Sequence, residues 1–265
     1  MENLIVIKLG GSVITDKKSM PPRVNLKSLR RIAKEIAVCG APLLIVLGGG
    51  AHGHQAAHKH GFGNPNTPPD RLLLGIPDIR RNMSQLASRV EEELSQQGVL
   101  GAIFSPFNFV TLHDGFIHNF PTEIIEQTLN AGISVIIHGD VCIDMKKAAS
   151  ILSGDTIAVF LAEKFQAKSV FIGTNVDGVL TENPEINPDA KHIPLIDKTN
   201  KDQILALTGP SSSIDVTGGM AKKISELLDL ANHKIDVVIF NLLIPNRLTN
   251  LFLGKPIICT RISLN

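Results

Sequence analysis

The 265-residue chain carries 26 basic and 25 acidic residues, a near-cancellation that excludes the global basic field on which nucleic-acid binding usually relies. A hydrophobic share of 43% with 22 glycines suits a soluble globular enzyme and excludes a disordered chain. No apolar run approaches the roughly 20 residues that a bilayer span needs.

Cys39, Cys142 and Cys259 are odd in number and widely spaced, without CxxC or metal-ligand spacing, and read as buried thiols of a reducing compartment. The opening stretch, Met1 to Lys8, has no basic leader and only four apolar residues before the lysine, which does not describe a signal peptide. The cytosol is the expected location. Length alone admits one large α/β domain or two small ones.

Residues 4–7 predict a short buried strand, and Lys8-Leu9-Gly10-Gly11-Ser12 follows as a glycine turn carrying a lysine and a hydroxyl. Leu26 to Val38 is apolar at 26, 29, 32, 33 and 36, which is helical spacing. Leu43 to Leu47 reads as a strand buried on both faces, running into Gly48-Gly49-Gly50-Ala51-His52-Gly53-His54 and a helix-compatible segment, Gln55 to His60. Strand, turn, helix, strand is the pattern of a parallel sheet. Glycines at such a junction let the backbone approach a ligand, and the first N–H groups of the helix have no partner within it. The junction therefore suits phosphate, and it suits a plain tight turn as well.

Gly61 to Pro69 predicts a loop and Ile76 to Gln97 a long helix with Ile79, Met83, Leu86, Val90 and Leu94 on one stripe, long enough to pair with its copy in a dimer. Leu100–Phe104 and Phe107–Leu112 are short apolar runs, the second forming a hairpin with residues 115–117. A helix over 121–131 precedes the strand 133–137, which ends in His138-Gly139-Asp140-Val141, a further turn at a strand's carboxyl end. Asp155 in Ser153-Gly154-Asp155 reads equally as the N-cap of helix 156–165 or as a catalytic carboxylate. Ser169 to Val179 reads as a strand running into a turn, where Asp177-Gly178 is more often plain turn chemistry than a site. Residues 181–202 read as a surface excursion, Gly218-Gly219 with Lys222 as a helix start suited to phosphate, 237–240 as a strand followed by a loop, and 257–262 as the last strand.

Glycine turns gathered along one carboxyl edge would bring Lys8, Lys17, His54, Asp155 and Lys222 within reach of one another. Three lysines, a histidine and free N–H groups suit phosphoryl transfer, where a protein chiefly positions the partners and neutralises charge. The P-loop spacing is absent, and Gly10-Gly11-Ser12 fails the dinucleotide fingerprint.

Lys8-Leu-Gly-Gly-Ser12, Gly48-Gly-Gly-Ala-His-Gly-His54, Gly139-Asp-Val141, Ser153-Gly-Asp155, Asp177-Gly178 and Thr217-Gly-Gly-Met-Ala-Lys222 together resemble the amino-acid-kinase superfamily, and within it the isopentenyl phosphate kinase family. The resemblance covers nearly the whole chain, in the family's order. It implies a three-layer αβα sandwich around a mainly parallel sheet: one domain over residues 1–265, with the acceptor in about 1–150 and ATP in about 151–265. By the same resemblance Lys8 and Lys222 contact the nucleotide phosphates and Lys17 stabilises the transferring phosphoryl group. Asp155 orients the lysines. Gly10, Gly11, Ser12 and Gly50 line the ATP phosphates, and Thr174, Asp177, Gly178 and Gly218 seat the nucleotide. Gly49, Gly53, His54, Gly139, Asp140, Val141, Ile151 and Gly154 form the acceptor site. Mg²⁺ is held mainly through ATP oxygens, and the partners are a small phosphate acceptor and a second copy of the chain, with no nucleic acid and no membrane.

His54 suits an acceptor phosphate because an imidazole near neutral pH can be a cationic donor, whereas an amino-acid acceptor would want a carboxylate clamp. Val141, Ile143 and Ile151, with Ile76, Ile79 and Met83, suit a short prenyl tail or simply the core. His52, His58 and His60 read as surface or helix histidines; His138 is left open. The chain departs from the family at Leu47, where many relatives have histidine, at Ala51-His52, and at Asn175, where aspartate is frequent. Fosfomycin kinases share the GGGA-x-GH pattern, so another small phosphorus acid is the alternative acceptor. A silent nucleotide-binding regulator is the alternative of a different class, and the retention of Lys8, Lys17, Asp155 and Lys222 speaks against it.

Overall fold

The computed structural model describes residues 3–17, 19–182, 187, 189–207 and 219–264. Its centre is an eight-stranded sheet in the order Leu195–Ile196, Cys259–Ile262, Asp236–Asn241, Ser169–Thr174, Ile5–Leu9, Leu44–Leu47, Ser134–His138, Gly101–Phe104. The six strands from Asp236–Asn241 to Gly101–Phe104 are parallel. Cys259–Ile262 runs against its neighbour and carries Leu195–Ile196 parallel to itself.

The near-continuous apolar strands follow from burial on both faces, and their period of two divides the core. Val6, Leu44, Val46, Val135, Ile137, Val170 and Ile172 point to one side, against helices Glu123–Asn130, Gly154–Lys164 and Gly219–Asn232. Ile7, Leu9, Ile45, Leu47, Ile136, Phe171 and Val238 point to the other, against Leu26–Ala37, Gly50–Lys59, Pro69–Ser95 and Arg247–Phe252. The result is the three-layer αβα sandwich.

A second sheet, ordered Ala148–Leu152, Asp140–Asp144, Thr111–His113, Phe116–Asn119, grows from the carboxyl end of Ser134–His138. Asp144 ties its loops together. Burial alone would raise this carboxyl's pKa, but the Ser150 hydroxyl and the N–H groups of Lys146, Lys147 and Gly115 outweigh burial and hold it well below the usual range.

Several elements differ from the sequence reading. The long helix starts at Pro69, seven residues ahead of Ile76, because Pro69 stands in its first turn, where a missing N–H costs nothing. Pro106–Asn108 is a single 3-10 turn, so only Thr111–His113 and Phe116–Asn119 make the hairpin. Asp140–Asp144 is a strand rather than part of a turn. The excursion over 181–202 contains His192–Ile193, paired with Val179–Leu180, and Leu195–Ile196 on the main sheet's edge. The loop before the last strand contains the helix Arg247–Phe252. Residues 211–218 lie outside the described residues.

The first two glycine turns are packed against each other without space for a side chain. A Cβ on Gly11 would lie 2.2 Å from the Gly50 nitrogen, and one on Gly10 would lie 2.5 Å from the Gly173 carbonyl oxygen. Gly50 also has a φ of +49°, which L side chains rarely adopt. The Thr15 hydroxyl bridges the two turns, donating to the Gly11 carbonyl at 2.7 Å and accepting from the Ala51 N–H at 3.0 Å. Gly11→Ala is therefore expected to cost about 3 kcal/mol or more through backbone overlap. Gly40→Ala, at φ +65° with no atom within 4 Å, should cost only about 1–2 kcal/mol of backbone strain. Urea unfolding of both variants checks this, and equal losses would show that the turns are not interlocked.

Candidate active site

The carboxyl ends of the central strands stop level, and a glycine continues each ladder by one bond: Gly10 N–H to Gly173 O at 2.9 Å, Gly48 N–H to Leu9 O at 2.9 Å, and Gly139 N–H to Leu47 O at 3.0 Å. Above them opens a cleft of about 470 Å³. Gly10, Gly11 and Ser12 face it from the first turn, Gly48 to Ala51 from the second, and Gly139, Gly154 and Gly173 from the remaining strand ends. The N-cap of the helix Gly50–Lys59 is Gly49, which has no side chain to cap it, and Thr15 takes the Ala51 N–H, so the helix starts with its backbone at the strand-to-helix junction.

Lys8 stands at the base of the cleft as the penultimate residue of its strand, 6% exposed. A lysine buried to that extent needs a counter-charge. Asp155 supplies it, with Oδ1 at 2.5 Å from Lys8 Nζ. Asp155 can do so because Ser153 caps its helix: the Ser153 hydroxyl accepts the Thr156 N–H at 3.0 Å. Asp155 is accordingly the second residue of the helix rather than its N-cap, and its carboxylate turns to the cleft. Lys17 and His54, both exposed, line the same cleft. The opposing turn is held by Asn175, whose Oδ1 accepts from the Ser12 hydroxyl at 3.2 Å.

Beside His54 the wall is apolar, formed by Ala57, Ile79, Met83 and Ile151. Ile79 and Met83 are one helical turn apart on Pro69–Ser95, and Gly53 leaves its space to the Met83 sulfur, which a Cβ would approach to 3.2 Å. Asp140 also lines the cleft, with Oδ1 accepting the Val141 N–H at 2.9 Å. Burial raises its pKa despite the opposing influence of His138, the Phe107 N–H and Arg80.

Of the acceptor residues expected from the sequence, Gly49, Gly53, His54, Gly139, Asp140, Ile151 and Gly154 line the cleft. Val141 does not: it is fully buried in the apolar cluster that includes Ile79 and Met83. On the nucleotide side Lys8, Gly10, Gly11, Ser12, Gly50 and Thr174 line the cleft, with the Thr174 hydroxyl donating to the Val176 carbonyl at 2.9 Å. Asp177 and Gly178 stand back from it. The Asp177 carboxylate takes the Arg247 guanidinium at 2.6 Å, and Gly178 packs its turn on Thr260, where a Cβ would lie 2.3 Å from the hydroxyl oxygen. Gly218 and the Lys222 side chain lie outside the described residues; the helix Gly219–Asn232 begins there.

The histidines sort themselves by burial. His138 is fully buried between the Ser105 hydroxyl and the Gly139 carbonyl oxygen. His52 is a buried residue rather than a surface one, its pKa lowered by burial. His58 is exposed, and His60 pairs with Asp78 at 3.0 Å. Sequence reasoning missed Gln55 and Asn175 as cleft residues. Gln55, adjacent to His54, had position as its only signal.

A sheet edge of glycine turns carrying a buried lysine, with an exposed lysine and histidine over the same cleft, is the construction of an enzyme that handles phosphate groups. The chain belongs to the amino acid kinase family, whose model matches residues 3–241. It is 33% identical to the isopentenyl phosphate kinase of Methanothermobacter thermautotrophicus, over 98% of this chain and 99% of that protein. It is 35% identical to the isopentenyl phosphate kinase of Methanocaldococcus jannaschii, over 83% of this chain and 85% of the other. A solved structure described as isopentenyl phosphate kinase superposes with a TM-score of 0.85 at 31% identity, covering 98% of this chain and all of its own.

Asp155→Asn keeps the side chain's shape but leaves Lys8 without its counter-charge. We expect kcat to fall about 10²-fold with the fold retained by circular dichroism, a size typical for loss of one preorganised electrostatic group. A variant with unaltered kcat would remove Asp155 from the reaction.

Proposed function

We propose that the protein transfers the γ-phosphoryl group of ATP to isopentenyl phosphate, giving isopentenyl diphosphate. The observation that carries this reading is the two-part wall of one cleft: cations and bare N–H groups along the glycine turns, and an apolar pocket of Ala57, Ile79, Met83 and Ile151 beside His54. A phosphate with a short hydrocarbon tail fits that division, since the tail gains by leaving water while the head requires charged donors.

In this reading Lys8 and Lys222 contact phosphate oxygens of the nucleotide, Lys8 kept in place by Asp155. Lys17, at the mouth, neutralises the group in transit. His54 donates to a non-reacting oxygen of the acceptor phosphate and fixes its line of attack. Transfer is in-line, and the enzyme's contribution is position and charge rather than a covalent intermediate.

Among the described residues no group of three or more His, Cys, Asp or Glu side chains is arranged to hold a metal. Mg²⁺ would come carried on ATP oxygens and would supply further neutralisation of phosphate charge. The reading keeps residues 1–150 as the acceptor portion and 151–265 as the nucleotide portion of a single domain. It takes the protein as a cytoplasmic homodimer, for which the exposed Leu73 and Leu74 on the long helix offer a surface. Among the described residues no helix is long and apolar enough to cross a membrane.

A coupled ADP-release assay tests the reaction with isopentenyl phosphate, fosfomycin and several amino acids in parallel. Isopentenyl phosphate should give the highest kcat/KM, and His54→Ala should lower that value about 10²-fold while leaving the affinity for an ATP analogue unchanged. No turnover of isopentenyl phosphate would overturn the assignment. Unaltered acceptor kinetics in the variant would remove His54 from it.

A further inference from the structure

Glu35 is a carboxylate 5% exposed, on the helix Leu26–Ala37, and it does not line the cleft. A buried carboxylate is costly unless its oxygens are satisfied, and these are. Oε1 takes the Arg31 guanidinium one turn back on the same helix. Oε2 accepts the N–H groups of Leu248 at 3.1 Å and Thr249 at 3.2 Å, the open first turn of the helix Arg247–Phe252, which no side chain of its own caps. Arg31 reaches the same segment a second time, donating to the Leu242 carbonyl oxygen at 2.5 Å. One ion pair thus fixes both ends of residues 242–249, the loop that leaves the carboxyl end of the strand Asp236–Asn241.

That loop reaches the cleft wall. Arg247 donates to Asp177 Oδ1 at 2.6 Å and Asn241 donates to the same oxygen at 3.3 Å. Asp177 closes the turn whose residues Thr174, Asn175 and Val176 line the cleft. We propose that Glu35 is a positioning residue for the nucleotide end of the site, acting through the chain Glu35, Arg247–Phe252 helix, Arg247, Asp177. The proposal rests on the kinase reading above for its choice of substrate. It sets Glu35 at the nucleotide end, since the links of this chain lead to the turn of Thr174, Asn175 and Val176.

Glu35→Gln retains shape and removes the ion pair. We expect the KM for ATP to rise about five- to tenfold, the range seen for residues that couple to a site without touching it, with kcat and the KM for isopentenyl phosphate within about twofold. Arg247→Ala should raise the KM for ATP similarly and Arg247→Lys should restore most of it. In an Asp177→Asn background, Glu35→Gln should add little. A variant with a lowered melting temperature and both KM values unchanged would overturn the proposal, as would additive effects of Glu35→Gln and Asp177→Asn. Should Glu35→Gln fail to fold, Arg247→Ala decides alone: an unchanged KM for ATP refutes the route. Calorimetric titration with ADP reads the same contrast without any acceptor. Weakened ADP binding in the variants therefore supports the positioning role even if isopentenyl phosphate is not turned over, and unweakened binding contradicts it.

Discussion

The interlock of two glycine turns at the head of adjacent parallel strands is the constraint on which the remainder depends. Because Gly11 and Gly50 approach to backbone contact, with Thr15 bonded to both turns, the strands Ile5–Leu9 and Leu44–Leu47 end level and their following segments diverge over one opening. Any side chain at these positions would overlap the opposing turn and force the two apart. The same closeness leaves main-chain N–H groups as the natural lining of the cleft, and those groups hold their places without reorganisation when charge moves.

A lining of dipoles alone does not bring together two anionic groups that repel one another. The charge that allows this is placed by strand geometry: Lys8 lies one residue before the end of its strand, so its alternation carries it to the base of the cleft, where burial would be prohibitive without Asp155. Ser153 takes over the capping of the next helix and frees Asp155 for that pairing. The sheet fixes one partner and a helix start the other, so a single ionic contact joins the first strand to the second half of the chain.

Much of this was legible in the sequence because local rules and the global fold agree. Short apolar runs ending in glycine gave the strands, their order gave a parallel sheet, and the Lys8-Leu-Gly-Gly11 and Gly48-Gly-Gly50 segments gave the edge where ligands meet. What was not legible depends on distant partners. Asp155 resembled an N-cap until Ser153 was seen to do that work. Val141 carries an apolar side chain at an expected site position, yet it turns into the core. His52 and His138 are buried where His54 is exposed, a difference that sequence spacing does not report. The helix Arg247–Phe252 escaped notice because it is only six residues long and its first N–H groups are capped by Glu35, more than two hundred residues away in the chain, while Asn246 at its N-cap makes no capping bond.

The central claim is that one rim holds both phosphate-bearing molecules end to end. The direct measurement is a crystal structure with isopentenyl phosphate and a non-hydrolysable ATP analogue bound together. The account predicts the acceptor phosphate between His54 and the Gly48–Gly50 turn, its tail against Ile79 and Met83, and the terminal phosphate of the analogue over Lys8 and in line with it. Density for the two ligands in separate sites, or an acceptor phosphate out of reach of His54, would contradict it.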